Sequence, residues 1–303
     1  MRRLQLAVLS AAFLGLSSQT RAQTNKALRY DSRQLDCAQF LESAESHIVT
    51  QSGGRDREQR SGRRGVWRFR AQSAREDVAL EGWLDSLTLW RRSAETTIRP
   101  DTDGLIGGRY RGLLTRSGIY SSRVQPFIPD EVAEVAGMAT ALDDFFPRLP
   151  PRLLRIGEEW RDPGGLRIQR MPDSALSGVP LYRFALEESR EDKEATTTQR
   201  DTTPLQVHQV TRERGMFLWH PLLGLIGRER SIVVETSVPA SRAVGPAVRS
   251  RIEQRISLRR DLAPSSTGCS RAQSRVKPAE ARLRRNGIDS GWAAAPVPAA
   301  PGR

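Results

Sequence analysis

Six large aromatics, Trp67, Trp83, Trp90, Trp160, Phe217 and Trp219, stand in or beside strand-like stretches, and no other residues in this sequence are better suited to holding a ligand. Rings gathered on one face of a curved sheet line the apolar pockets in which small molecules bind. The same rings also build cores, so both roles stand open. Groups for covalent or acid–base chemistry are sparse. His47, His208 and His220 are isolated; none belongs to an HExxH pattern or lies beside a cysteine, so no metal set is read. No G-x-S-x-G elbow surrounds a serine, and GLIGGRYRG (104–112) fits neither a dinucleotide loop nor a phosphate loop. Asp143-Asp144 and Glu158-Glu159 are adjacent pairs whose side chains diverge, unlike a ready acid/base couple. Asp101-Thr102-Asp103-Gly104 lacks the remaining ligands of a calcium loop and reads as a turn. The expectation is a non-enzymatic protein without cofactor or metal.

Charge narrows the partners. Of the net +13, +3 belongs to Arg2, Arg3 and Arg21 and +6 to the stretch from Arg259 onward, leaving +4 for the body. A body that balanced lacks the polyanion footprint of a nucleic-acid binder. Arg2 and Arg3, the apolar run Leu6–Leu16 and Thr20-Arg21-Ala22 form the anatomy of a secretory signal peptide, with cleavage after Ala22. That run is too short to span a bilayer, and no later segment is long and apolar enough. The mature chain is therefore expected to be exported, periplasmic or extracellular. In that setting a Cys37–Cys269 disulfide is chemically permitted, two free thiols being the alternative.

The elements expected to carry the aromatics are strands around one helix. In PDEVAEVAGMATALDDFFP (129–147), Val132, Val135, Ala139, Leu142 and Phe146 recur at helical spacing, predicting an amphipathic helix over 129–146. Pro129 suits its first turn and Pro147 its end. Ala133, Ala136, Gly137 and Ala139 are read as small residues permitting close approach of its backbone. Leu28 and Tyr30 alternate with charged neighbours, consistent with a first strand in 27–36, while 34–45 also fits a short helix. The glycine- and charge-rich 52–65 reads as a hairpin loop, and 189–204 as a second exposed loop. Val66–Arg70 and Val78–Trp90 read as strands, with a bulge near Gly82 to Asp85 where the apolar parity switches. Further strands are expected either side of Arg116-Ser117-Gly118 and at 205–211, 215–219 and 228–238. From Val248 to Leu258 apolar even positions alternate with charged odd ones, the mark of a strand with one face in a core. The fold class is mainly β: a strongly curved antiparallel sheet or open β-barrel packed on the helix, in one domain over 23–260. Residues 261–303, rich in Pro, Ala and Arg, form an expected disordered tail. Gly104–Gly107 and Gly224–Gly227 share the letters GLIG, the trace of a duplication or a coincidence.

Phe146-Pro147-Arg148-Leu149-Pro150-Pro151, followed by Ile156-Gly157-Glu158-Glu159-Trp160, resembles a recurring element of uncharacterised bacterial exported β-rich proteins, in which a proline-rich segment precedes a G-[DE]-x-W strand start. The strand-dominated layout with one inserted helix also resembles the open-barrel carriers of lipids or lipoproteins in the periplasm. These resemblances transfer no site residue. They favour a cell-envelope protein that binds an apolar ligand or lipid in a curved-sheet pocket. The alternative is an interaction protein whose arginine-rich tail docks on an anionic envelope surface. A hydrolase comes third.

Overall fold

The computed structural model describes residues 27–176, 179–198, 201–240 and 245–262. The expected signal peptide (1–22), Cys269 and all but the first two residues of the expected tail (261–303) lie outside the described residues. Among those described, twelve strands join one antiparallel sheet that does not close. A first meander comprises β1 (Gln39–Ser52), β2 (Arg55–Ala74), β3 (Asp77–Ser93) with the short β4 (Thr97–Ile98), β5 (Tyr110–Leu114) and β6 (Tyr120–Val124). A second comprises β7 (Glu159–Arg161), β8 (Arg167–Leu176), β9 (Val179–Thr198), β10 (Asp201–His220), β11 (Gly224–Val238) and β12 (Val248–Arg260). The spatial order is β6-β5-β3-β2-β1-β12-β11-β10-β9-β8-β7, so pairing of β1 with β12 joins the two halves.

Local chemistry explains much of this. Ser52 pairs with Arg55 across Gly53-Gly54, and both glycines have positive φ, as a tight two-residue hairpin turn requires. The expected loop at 52–65 is therefore a turn and a continuous strand. The expected loop at 189–204 is likewise mostly strand: Ser189 to Thr197 pair with Arg212 to Pro204. In both places odd and even positions alike are mostly polar in sequence, so the apolar alternation that marks a half-buried strand is missing. The bulge falls where expected: Val66 faces Ser86 while Trp67 faces Leu84, which leaves Asp85 as the extra residue. The expected first strand is absent. Leu28 and Tyr30 are buried in irregular chain leading to a one-turn helix α1 (Ser32–Leu35), capped by Asp31 and Gln34. The two GLIG stretches differ in structure, one a turn and the other the start of β11, so they do not repeat a unit.

The helix expected over 129–146 does not form. One turn, α2 (Asp130–Ala133), is followed by a 3-10 turn at Met138–Thr140 and then further turns. Gly137 sits between them at φ −72°, ψ 66°, outside the helical region. Interior glycine disfavours helix, and the core takes both Phe145 and Phe146, neighbours that a regular helix would turn about 100° apart. Val132, Met138, Leu142, Phe145 and Phe146 are all buried, so the segment plugs the sheet without being one helix. Ala133, Gly137 and Ala139 are exposed and Ala136 is only half-buried, so they do not supply the close approach. Gly82 of β3 does: a methyl there would lie 2.8 Å from the Phe69 ring and 3.2 Å from Leu142.

Both halves of the sheet contact this plug. Phe145 packs edge-on against Phe40, Trp67 and Phe69 of the first half, at centroid distances of 5.6, 5.9 and 5.1 Å. From the second half, Arg228 and Arg230 donate to the Asp144 carbonyl, and Arg148 pairs with Asp162. Truncating Leu142 to alanine is expected to cost about 2–5 kcal/mol, the range for a buried leucine. Glu134→Ala, on the exposed side of the plug, is expected to cost about 0.5 kcal/mol or less. Denaturant melts of the two variants check this, and equal small effects would contradict the packing.

The Gly157-Glu158-Glu159-Trp160 element acts as a clamp at the start of β7. Gly157 has φ +84°, and its N–H donates to the Arg170 carbonyl at 2.8 Å. The Glu158 carboxylate accepts from the Arg152 guanidinium and from the Arg155 N–H at 2.7 Å, and these bonds hold its pKa down to about 2. A depressed carboxylate stabilises the fold above its ordinary value and loses that contribution as pH falls toward the folded value. Glu158→Gln is therefore expected to lower the urea midpoint at pH 7, with the gap to wild type closing between about pH 4.5 and pH 2. A gap unchanged at pH 2 would contradict an ionic clamp.

Candidate ligand-binding groove

On β11, alternation puts Arg228, Arg230, Ile232 and Val234 on one face of the sheet. The register sets each opposite a residue of β12: Leu258, Ile256, Gln254 and Ile252 in turn. β1 continues these rows with Glu42, Ala44, Ser46 and Ile48, and β10 with Phe217, Gly215, Glu213 and Thr211. Moving along the strands, this inner face changes from aromatic core to a charged band, then to a row of Val234, Ile252 and Ile48 that is only half-buried. Plug residues from Ala133 to Gly137 face Ile48 and Ile252 of that last row across a cavity.

The band is built from two ion clusters. Glu213 receives Arg230 through Nε at 2.7 Å and Nη2 at 2.5 Å, and lies 3.4 Å from Arg228 Nη2. Glu42 receives Arg63 Nη2 at 2.6 Å and Trp67 Nε1 at 2.9 Å. Removal from water, with Arg230 beside it, pulls the Arg228 pKa down to about 10, so it stays cationic at neutral pH. Burial, then the nearby Glu213 charge, raises Glu188 above the usual carboxylate range.

Between plug and sheet runs a chain of cavities. One of about 240 Å³ is bounded by Arg63, Arg228 and Arg230 on the sheet and Phe145 on the plug, with Ile232 and Ile256 as apolar walls. It shares Arg63, Gly137 and Gln254 with a neighbour of about 310 Å³ that reaches Ile48, Ile252 and Val135. On its other side it shares Arg228, Arg230 and Ile232 with a polar space of about 420 Å³ at Glu188 and Arg190. The arrangement can hold an elongated molecule with both apolar and charged parts.

The sequence matches no protein-family model and no curated protein. Among solved structures the chain is weakly similar to lipovitellin, from a study of its lipid–protein interactions, at 10% identity and a TM-score of 0.42, over 75% of this chain and 25% of that one. The chain thus spans about a quarter of that lipovitellin chain. It is also weakly similar to a DUF1329 family protein from Desulfovibrio piger, at 12% identity and a TM-score of 0.18, over 77% of this chain and 90% of that one. The functional reading therefore comes from the groove's own residues.

The six sequence-selected aromatics do not converge. Trp67, Phe217 and Trp219 lie in the core: Trp67 stacks on Phe69 at 6.2 Å, Phe217 on Phe184 at 4.8 Å, and Trp219 meets Tyr30 edge-on at 5.1 Å. Trp160 is half-buried at its margin. Trp83 and Trp90 have the opposite parity and lie on the outer face, Trp83 beneath Arg109 at 4.0 Å with its Nε1 on Asp85, Trp90 over Gly62. None of the six lines any of the three connected cavities. The histidines serve local structure. His220 Nδ1 accepts from the N–H groups of Leu222 and Leu223, both at 3.1 Å, in the β10–β11 turn, while His47 and His208 lie beside Glu58 and Glu191. Asp101 makes a turn by accepting from the Asp103 N–H at 2.9 Å. Cys37, at φ +60°, follows α1 and donates its N–H to the Phe69 carbonyl; its expected partner Cys269 lies outside the described residues. Sequence reasoning missed the arginines and glutamates of the band. Their signal was the Arg228-x-Arg230-x-Ile232-x-Val234 alternation, which puts charge on the face that also carries apolar residues.

Proposed function

We propose that this is an exported, non-enzymatic protein of the cell envelope that holds an apolar ligand of the lipid class in the groove between plug and sheet. The observation that carries the reading is the row Ile48–Ile252–Val234, contiguous across three strands and only half-buried on the inner face. Apolar residues aligned on the inside of a bent sheet, with open space above them, bind acyl chains by the same water exclusion that builds a core. The N-terminal sequence pattern supports export, with the mature chain beginning after Ala22. Among the described residues no helix is long and apolar enough to cross a membrane.

Native mass spectrometry of protein purified from its own host tests the reading. A retained lipid, lost in an Ile252→Glu variant that melts like wild type, is the expected result. Absence of any bound apolar molecule, with no binding of an added fluorescent fatty acid, would overturn it.

A further inference from the structure

Between the buried side chains of Val132 and Met138 the plug bridges the cavity of about 310 Å³. Residues 133–137 form one wall of that space, and the facing wall on the sheet carries Ile48, Ser61 and Ile252. None of the bridging residues is buried: Ala133, Glu134 and Gly137 are exposed, Val135 and Ala136 half-buried. Their backbone N–H groups bond within the plug. Ala133 donates to the Pro129 carbonyl, Glu134 to that of Asp130, and Val135 and Ala136 both to that of Val132. One sheet side chain among the described residues holds the stretch from outside. Arg91 of β3, opposite the cavity-lining Ser61, donates to the Glu134 carbonyl at 2.8 Å and stands 3.5 Å from its carboxylate.

Gly137 gives the stretch a joint. Its φ of −72° and ψ of 66° are those of an inverse γ-turn, closed by the Met138 N–H on the Ala136 carbonyl at 2.8 Å. A methyl at Gly137 would meet only Thr140 Oγ1, 3.8 Å away, so packing does not demand glycine there. Glycine does let the turn pass through backbone states closed to other residues. Chain with little buried apolar surface and only local hydrogen bonds opens at low cost, and ligand gates are drawn from such chain.

Resting on the apolar-ligand reading of the groove, we propose that residues 133–137 are its gate: a strap, jointed at Gly137 and latched by Arg91, that lifts to admit the ligand to Ile48 and Ile252 and closes over it. Val132 and Met138 stay buried as its two posts, so lifting the strap leaves the core intact. The latch forms whether the groove is filled or empty. It therefore favours neither state and sets the rate of exchange, not the affinity.

Stopped-flow binding of a fluorescent fatty acid to the full chain tests this. On wild-type protein the observed rate is expected to level off as the probe concentration rises, because opening then limits entry. Arg91→Met keeps the apolar stem and removes the latch. It should speed association and release alike by about fivefold, as loss of one partly exposed hydrogen bond implies, and leave the dissociation constant within about twofold. Gly137→Ala fits the resting turn but leaves the lifted strap fewer conformations, so it should slow both rates by about two- to fivefold. The plateau needs no variant, so a poorly folding Arg91→Met leaves the proposal testable. Rates that rise linearly with probe concentration and move in neither variant would overturn the strap while leaving the groove standing. A change of affinity through release alone would make Arg91 or Gly137 part of the binding surface and overturn the gate. No binding of the probe by wild-type protein would overturn both readings.

Discussion

Replacing Phe145 by alanine is expected to lower the stability of the fold by about 3–5 kcal/mol, among the largest effects of any single truncation in this chain. The ring touches aromatics from β1 and β2 and stands 4.9 Å from Phe146, so its removal leaves a hole where plug and sheet meet. The backbone there is held by Arg228 and Arg230 on the Asp144 carbonyl, which limits collapse into the hole. Urea melts should show a lower midpoint with little change in slope. Phe127, with 82% of its surface exposed on the chain leading to the plug, is the control: Phe127→Ala should stay within about 0.5 kcal/mol. A small effect at Phe145 would mean that the segment only rests on the sheet.

Glu213→Gln is expected to cost about 3–5 kcal/mol for a different reason. Glutamine keeps the shape and one acceptor but removes the charge between Arg228 and Arg230, both buried. Two like charges then share a poorly hydrated site whose nearby carboxylates, of the exposed Asp144 and the half-buried Glu188, do not replace the buried one. Glu235 offers the contrast, because it bridges Arg212 and Arg251 at 2.8 and 2.5 Å on the outer face, in water. Glu235→Gln should barely move the melt, as exposed pairs contribute little. Similar effects from the two would contradict a desolvated inner band.

Alternation made β12 legible: its odd positions from Arg249 to Arg255 are exposed and its even ones are not. A parity switch located the bulge at Asp85, and turn residues located the β5–β6 hairpin. Local rules suffice for such features because each depends on residues a few positions apart. Period two failed at 55–61 and at 189–204, where odd and even positions alike are mostly polar in sequence. Pairing with long neighbours orders those strands, and pairing is a tertiary fact. Helical spacing in 129–146 identified Val132, Leu142 and Phe146 as buried, but packing on the sheet decided the conformation by burying Phe145 and Phe146 together. The candidate site was the least legible part. Glu42 and Arg63 come from one hairpin and Glu213 and Arg228 from another far along the chain, and each alone looks like any surface charge. Only the β2–β1–β12–β11–β10 register brings them to one inner face. Only the plug above them removes the water that would otherwise make those charges ordinary.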